Sequence, residues 1–132
     1  MARILVIDDE PQIRLLLRMI LEEDGHAVVE AANGLAAMQR WQEAPASLVI
    51  TDILMPDKDG LEVIAELRRR SPQTPIIAIS GGSLAMPVRM LDIAGRLGAA
   101  YTVDKPFAVE TMRQLVSSAL AAPCSPPPSS VA

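Results

Sequence analysis

Short runs of apolar residues alternate along the chain with longer segments in which apolar residues recur at helical spacing. The short runs are rich in Ile, Leu and Val and do not alternate with polar residues, which is typical of strands that are buried on both faces. The predicted strands are residues 4–7, 27–29, 48–50, 76–79 and 100–103.

A segment with helical periodicity follows each predicted strand, and local signals mark several helix ends. Pro11 suits the first turn of a helix, and Gly25 and Gly98 are typical of the residue that follows a helix. Asp59 and Glu62 have the spacing of a capping box at the start of the third helix. Five strands alternating with five helices predict an α/β fold, a doubly wound parallel sheet with right-handed crossovers and helices on both faces.

Composition narrows the class of protein. The 132 residues suit one domain, and a hydrophobic fraction of 50% excludes an intrinsically disordered chain. The 12 basic and 16 acidic residues leave a net charge of −4, which argues against a nucleic-acid partner. Few aromatic residues occur, so the core must be aliphatic. Four methionines on predicted helices are expected in this core: Met19, Met38, Met90 and Met112.

The chain lacks the usual signals for export or membrane insertion. No apolar run approaches the roughly 18 residues of a membrane span, and Asp8 follows the first apolar run too early for a signal peptide. The single cysteine, Cys124, cannot form an internal disulfide. We therefore expect a cytoplasmic protein with no membrane partner. The Pro- and Ser-rich residues 122–132 are predicted to form a disordered tail after a domain spanning residues 1–121.

Polar side chains follow four of the five predicted strands. Asp8 and Asp9 follow the first strand, Asp52 follows the third, Ser80 the fourth and Lys105 the fifth. Each could be an ordinary cap or turn residue. In open α/β sheets, however, ligands bind at the carboxyl ends of the strands, and all five side chains are expected at that edge.

Three carboxylates, one hydroxyl and one ammonium group at one edge predict phosphoryl-transfer chemistry. Clustered carboxylates need a cation, and an all-oxygen set without His or Cys favours Mg²⁺. An Asp beside Mg²⁺ and a lysine can attack a phosphoryl group while the two cations neutralise its oxygens. The chain has only two lysines, Lys58 and Lys105, and the compact ammonium of Lys105 suits a contact with phosphate.

Four motifs together resemble the receiver domain of two-component response regulators. They are Asp8-Asp9, the segment Asp-Ile-Leu-Met-Pro-Asp-Lys-Asp-Gly at residues 52–60, Ser80-Gly81, and Lys105-Pro106-Phe107. The resemblance covers about residues 2–121. It implies a flavodoxin-like, CheY-like sheet in the order 2-1-3-4-5, and phosphorylation by a histidine kinase or a histidine phosphotransfer protein. It also implies a signalling domain that catalyses only its own phosphorylation and dephosphorylation.

The resemblance assigns roles to individual residues. Asp52 matches the phosphoacceptor. The implied Mg²⁺ ligands are Asp9, Asp52, the backbone carbonyl of Leu54 and Asp8, the last binding directly or through water. Ser80 and Lys105 match the residues that contact the phosphoryl group, and the bond between Lys105 and Pro106 matches a cis peptide that aims the lysine inward.

The chain departs from the family pattern at two places. The family's switch aromatic falls four residues after Gly98, which here is Thr102, whereas Tyr101 comes one residue earlier and should face the other side of the strand. A shift in the preceding turn could restore Tyr101 to this role. Leu54 and Gly82 occupy two positions that in this family help to set how fast the phosphoryl group is lost. Neither has a polar side chain that could hold a water molecule for in-line attack on the phosphoryl group. We therefore predict a long-lived phosphorylated form. A Leu54→Asn variant that hydrolyses no faster than the parent would contradict this.

The expected output is protein–protein contact or a phosphorelay, because the segment after the fifth helix is too short for an output domain. We expect a monomer or weak dimer that meets its target through the face formed by helix 4, strand 5 and helix 5. The candidate exposed contacts on that face are Arg89, Arg96, Tyr101 and Arg113.

Other functions are compatible with part of the pattern. A haloacid-dehalogenase-like phosphatase also uses an Asp nucleophile, but it needs Asp-x-Asp where this chain has Asp8-Asp9-Glu10. A flavin carrier would need a phosphate-binding loop of hydroxyl and Gly residues after strand 1, where this chain has an acidic run instead. A third possibility is a binding module with a vestigial site, but the intact Asp52, Ser80 and Lys105 argue against it. A receiver cut from a longer regulator remains open.

Overall fold

Five strands alternate with five helices in this computed structural model, which describes residues 2–53, 55, 59–80 and 90–121, with the backbone alone at 90–92. The elements are β1 (Arg3–Ile7), α1 (Pro11–Glu23), β2 (Ala27–Ala31), α2 (Gly34–Glu43), β3 (Leu48–Asp52), α3 (Gly60–Arg70), β4 (Ile76–Ser80), α4 (Met90–Leu97), β5 (Tyr101–Asp104) and α5 (Val109–Ala121). Each predicted strand and helix is present. The predicted tail at residues 122–132 lies outside the described residues.

The strands form one parallel sheet in the order β2-β1-β3-β4-β5. The predicted doubly wound α/β fold and its strand order are therefore confirmed. Register pairs Ile7 with Thr51, Asp52 with Ile79, and Ser80 with Asp104, so the strands end side by side. Several strands continue beyond their predicted ends, because the residues after the apolar runs keep the ladder of hydrogen bonds.

Two apolar layers cover the two faces of the sheet. On one face, Trp41 of α2 and Ile64 of α3 belong to a buried cluster with Ile7 of β1. On the other face, Leu17 of α1 and Met112 of α5 pack in a second cluster. Alternate side chains of each central strand supply both layers. Consequently, β3 is buried along its whole length, including the polar side chains at its carboxyl end.

The predicted core positions of the methionines are only partly confirmed. Met38 and Met112 are buried. The prediction for Met19 is wrong: its side chain is 60% exposed, because it lies on the face of α1 opposite the buried Leu17 and Leu21. The Met90 side chain lies outside the described residues.

Within the described ranges, no helix combines the length and the apolar character needed to cross a membrane.

Candidate functional site

Two central strands deliver buried carboxylates to the same edge of the sheet. Asp8 follows β1 directly, and its backbone N–H donates to the carbonyl of Ala31 at 3.1 Å, which extends the pairing with β2 by one residue. Asp52 is the last residue of β3. The side chains of Asp8 and Asp52 are only 1% and 6% exposed. The packing of both strands on both faces therefore holds two carboxylates out of solvent.

Lys105 joins these carboxylates from the end of β5. Its backbone N–H donates to the Ser80 carbonyl at 2.7 Å, and the peptide bond to Pro106 is cis. Its Nζ atom lies 2.9 Å from Asp8 Oδ2, 2.8 Å from Glu10 Oε1 and 3.1 Å from Asp52 Oδ2. One ammonium group is thus shared among three carboxylates.

The start of α3 packs directly against the backbone that carries Asp52. The Gly60 N–H donates to the Ile53 carbonyl at 2.8 Å, and a Cβ atom at Gly60 would overlap the carbonyl oxygen of Asp52. The predicted capping box at the start of this helix is confirmed, since the Asp59 and Glu62 side chains each accept a hydrogen bond from the other's backbone N–H. A residue without a side chain is therefore required where α3 meets the pocket.

Burial and charge perturb the ionisation of the clustered groups. Burial raises the pKa of Asp8, although the contact with Lys105 opposes this shift. Burial also raises the pKa of Asp52, and the negative charge of Asp8 adds to the effect. Burial alone would lower the pKa of Lys105, but hydrogen bonds to Glu10 and Asp8 outweigh it and raise the pKa above its ordinary value. The lysine therefore stays charged, and the pocket carries an excess of acid.

The structure brings together three of the five residues predicted from the strand ends: Asp8, Asp52 and Lys105. Ser80 is half-buried at the end of the neighbouring β4. Asp9 is exposed, and its carboxylate is absent from the compact acidic group formed by described residues. Leu54 and Gly82 lie outside the described residues.

Glu10 takes a place in the acidic group that the sequence reasoning did not assign to it. The group consists of Asp8, Glu10 and Asp52, each of which offers one carboxylate oxygen, and these three oxygens lie within 4.8 Å of one another. The only sequence signal for Glu10 was its position in an acidic run at the end of a strand, and that run does not say which side chain turns inward.

The predicted switch and contact residues that the structure describes lie on and around β5. Tyr101 is half-buried against the cluster that includes α5, whereas Thr102 is exposed, so the two side chains face opposite sides as expected. Arg96 is exposed, and Arg89 lies outside the described residues. Arg113 is half-buried, and its guanidinium contacts Glu23 and Asp24 at the end of α1, so its part in the exposed contact face stays a prediction.

The acidic group fits a hard divalent cation such as Mg²⁺. All candidate ligands are carboxylate oxygens, which such ions prefer. Asp52 Oδ1 is buried and accepts no hydrogen bond from any described residue. A buried acceptor of this kind is unfavourable without a partner, and a cation would provide one.

Residues 4–117 match the family "Response regulator receiver domain". The chain is 36% identical over 120 residues to the transcriptional regulatory protein YkoG of Bacillus subtilis, covering 90% of this chain and 51% of YkoG. It is 31% identical over 121 residues to the chemotaxis protein CheY of Listeria monocytogenes, covering 90% of this chain and 98% of CheY.

A solved structure shares the whole fold. The response regulator TrrA of Thermotoga maritima, in complex with Mg(2+)-BeF, aligns with a TM-score of 0.79 and 36% identity over 91% of this chain and 100% of TrrA. The chain spans about half the length of YkoG and nearly all of CheY, so its relatives include both longer regulators and single domains. The chain belongs to the response regulator receiver family, the signalling domains of two-component systems, as the four sequence motifs indicated.

Proposed function

We propose that this receiver accepts a phosphoryl group on Asp52 from a histidine kinase or a histidine phosphotransfer protein. The observation that supports this most directly is the Asp52 carboxylate. It is buried at the end of a central strand, one of its oxygens lies 3.1 Å from the Lys105 ammonium, and the other accepts no hydrogen bond from any described residue. A nucleophile with a free oxygen beside a fixed cation is suited to attack a phosphoryl group.

Asp52 would act as the nucleophile in an in-line transfer. A carboxylate oxygen forms a bond to phosphorus as the bond from phosphorus to the donor nitrogen breaks, which leaves an acyl phosphate on Asp52 and the electron pair on the histidine. Lys105 neutralises charge on the phosphoryl oxygens. It also favours the ionised, attacking form of Asp52, against the burial that raises the pKa of this carboxyl group.

Mg²⁺ would supply further neutralisation of the phosphoryl oxygens when it is bound. We propose that Asp9, Asp52 and the Leu54 carbonyl hold the ion, with Asp8 binding it directly or through water. The buried oxygens of Asp8 and Asp52 support their part in this set. Asp9 would join from the adjacent exposed position on the same turn.

The signal would leave the site through the ends of β4 and β5. We propose that the Ser80 hydroxyl bonds the phosphoryl group and that Lys105 shifts toward it, because both residues lie at the same edge and are joined by a backbone hydrogen bond of 2.7 Å. Thr102 stands on the exposed face of β5, where it offers a hydroxyl in place of the family's aromatic ring. Tyr101 is packed on the opposite side.

Output would be contact with another protein through the face of α4, β5 and α5, or transfer of the phosphoryl group in a relay. Two alternatives follow from the relatives. The similarity along nearly all of CheY supports a receiver that acts alone, and the similarity to half of YkoG supports a receiver joined to an output domain.

Phosphorylation with a small donor tests the proposal. The protein is incubated with Mg²⁺ and phosphoramidate and its intact mass is measured. We expect the mass of one phosphoryl group in the wild type, none in Asp52→Asn, and normal labelling in Glu22→Gln, which removes an exposed carboxylate of α1. Labelling of Asp52→Asn, or steady turnover of phosphomonoesters as a phosphatase would give, contradicts it.

A further inference from the structure

Glu10 is an unusual residue for its place at the start of α1. It occupies the N-cap, and its carbonyl accepts hydrogen bonds from Ile13 and Arg14. Ser, Thr, Asp and Asn are favoured at this position because their short side chains cap the helix, and the Glu10 side chain makes no such bond. Local helix formation therefore does not explain a glutamate here.

The Glu10 carboxylate is instead directed to Lys105, which lies 95 residues away in the chain. At 2.8 Å this is the shortest of the three carboxylate contacts of the lysine. The direction of the side chain is set by its own backbone, because the Glu10 N–H donates to Asp8 Oδ1 at 2.9 Å. The same turn thus holds Asp8, the buried partner of Lys105, and presents Glu10 as a second, exposed partner.

Solvent exposure separates Glu10 from the other two acids. Its side chain is 54% exposed, whereas Asp8 and Asp52 are almost completely buried. If Lys105 turns toward another anion, the Glu10 carboxylate can be rehydrated at once, but the two buried carboxylates cannot. The Glu10 contact is therefore the one that Lys105 can release most easily.

We propose that Glu10 is a positioning residue that holds Lys105 in the unphosphorylated protein and competes for it with the phosphoryl group on Asp52. This inference rests on the proposed function of Asp52. The ammonium lies within 3.1 Å of three carboxylates and donates hydrogen bonds to Glu10 and Asp52, so phosphoryl oxygens that draw it toward them must weaken one of these contacts. Glu10 thereby sets how readily the site accepts a phosphoryl group.

The contact itself can be observed without any phosphoryl donor. Lysine labelled with ¹³C and ¹⁵N gives only two side-chain ammonium signals, from Lys58 and Lys105, because the chain has no other lysine. In Glu10→Gln we expect exchange of the Lys105 ammonium protons with water to become about two- to fivefold faster, in keeping with the loss of a partly exposed ion pair. Glu22→Gln is the matched control, since Glu22 is an exposed, ion-paired acid on the same helix. It should leave the Lys105 exchange rate unchanged.

The competition is measured by binding of beryllofluoride, a phosphoryl analogue, in excess Mg²⁺ by ¹⁹F NMR. We expect Glu10→Gln to bind it roughly two- to fivefold more tightly than the wild type. Glu10→Asp keeps the negative charge, but its shorter side chain cannot reach Lys105. It should therefore show most of the gain in beryllofluoride affinity. In a Lys105→Met background, the gain from Glu10→Gln should be lost, since a competitor for the lysine has no effect without it.

Several outcomes overturn the inference. An unchanged Lys105 exchange rate in Glu10→Gln would show that the carboxylate does not hold the lysine. If Glu10→Gln raised beryllofluoride affinity equally in the wild-type and Lys105→Met backgrounds, Glu10 would act through its charge alone and not through the lysine. A tenfold or greater loss of Mg²⁺ affinity in Glu10→Gln, measured by calorimetry, would make Glu10 a metal ligand. Failure of the proposed function is distinct: the wild type would then bind beryllofluoride no better than Asp52→Asn, while the exchange experiment still decides whether Glu10 holds Lys105.

Discussion

Two clusters of charged side chains contact α1 and its first turn, and they are built in opposite ways. In the pocket at the carboxyl ends of the strands, three carboxylates share the single ammonium of Lys105. At the edge strand β2, the single carboxylate of Glu30 is shared by two guanidinium groups. Arg14 Nε lies 3.1 Å from Glu30 Oε1, and Arg18 Nε lies 2.6 Å from Glu30 Oε2.

The difference lies in which groups remain unsatisfied. Both oxygens of Glu30 accept a charged hydrogen bond, and the cluster is partly exposed, so it needs no further partner. In the pocket, Asp52 Oδ1 is buried and accepts no hydrogen bond from any described residue. An excess of buried acid is costly unless a cation joins it, whereas a partly exposed carboxylate with both oxygens paired only supports the fold. The first arrangement indicates a binding site and the second a structural contact.

The largest expected effect on stability comes from adding a side chain at Gly60, where α3 packs against the backbone of Asp52. Gly60→Ala places a Cβ atom against the Asp52 carbonyl, so the backbone must shift, and we expect the free energy of unfolding to fall by about 3 kcal/mol. Urea denaturation followed by the fluorescence of Trp41, the single and buried tryptophan, measures it. Gly95→Ala is the control, because a Cβ there meets nothing within 4 Å. It should stabilise α4 by up to about 1 kcal/mol. Equal losses in both variants would contradict the close packing at Gly60.

The second largest effect on stability is expected from Mg²⁺, which should depend on the pocket and not on the Glu30 cluster. At a free concentration about a hundred times the dissociation constant, a ligand specific for the folded state adds about 2.7 kcal/mol to the free energy of unfolding. We expect this gain for the wild type and for Glu30→Gln, and its loss with EDTA. Asp52→Asn should lose most of the gain. A Glu30→Gln variant that also loses it would mean that the surface cluster contributes to metal binding.

Neutralising the pocket should stabilise the metal-free protein. Burial raises the pKa of Asp52 in the folded state, so the folded protein binds a proton there more tightly than the unfolded chain does. Stability from this group is therefore present at low pH and is lost as the pH rises through the raised pKa. At pH 7 in EDTA we expect Asp52→Asn to be more stable than the wild type by about 1.5 kcal/mol.

This difference between Asp52→Asn and the wild type should shrink as the pH is lowered below that pKa. Urea titrations of both proteins across the acidic range measure it. A variant less stable than the wild type at pH 7 would show that the Lys105 contact outweighs the burial of Asp52.

The smallest effect is expected at the Glu30 cluster of β2. Glu30→Gln removes the charge shared by Arg14 and Arg18, and we expect a loss of about 0.5 kcal/mol, as for partly exposed ion pairs. The loss should decrease when the salt concentration is raised, because exposed charges are screened. Urea titrations at low and high salt test this. A loss that is as large as that of Gly60→Ala would mean that this cluster is as essential to the fold as the packing beneath the pocket.

The secondary structure could be predicted because its signals lie between neighbours in the chain. The apolar run of β3 and the capping pair Asp59 and Glu62 are local features, and the structure contains both. The convergence of Asp8, Asp52 and Lys105 could also be expected, since parallel strands end at one edge. The strand order needed the resemblance to a family, because periodicity does not say which strands pair.

Side-chain directions were harder to predict. Met19 has the residue type of a core position but lies on the outer face of α1. Arg113 contacts Glu23, which lies 90 positions away in the chain, and no local pattern predicts a contact at that separation. The acidic run after β1 contained the correct chemistry, but the geometry of the turn decided that Glu10 and not Asp9 reaches the lysine.

The sequence by itself determined the alternation of strands and helices, the aliphatic core and the kinds of chemical group at the carboxyl edge. These follow from periodicity and composition, which are properties of the chain before it folds. Only the tertiary structure decided which acids share Lys105 and which oxygen of Asp52 is left without a partner. The physical reason is that these contacts join residues as far as 95 positions apart, and their geometry exists only once the sheet has brought the strand ends together.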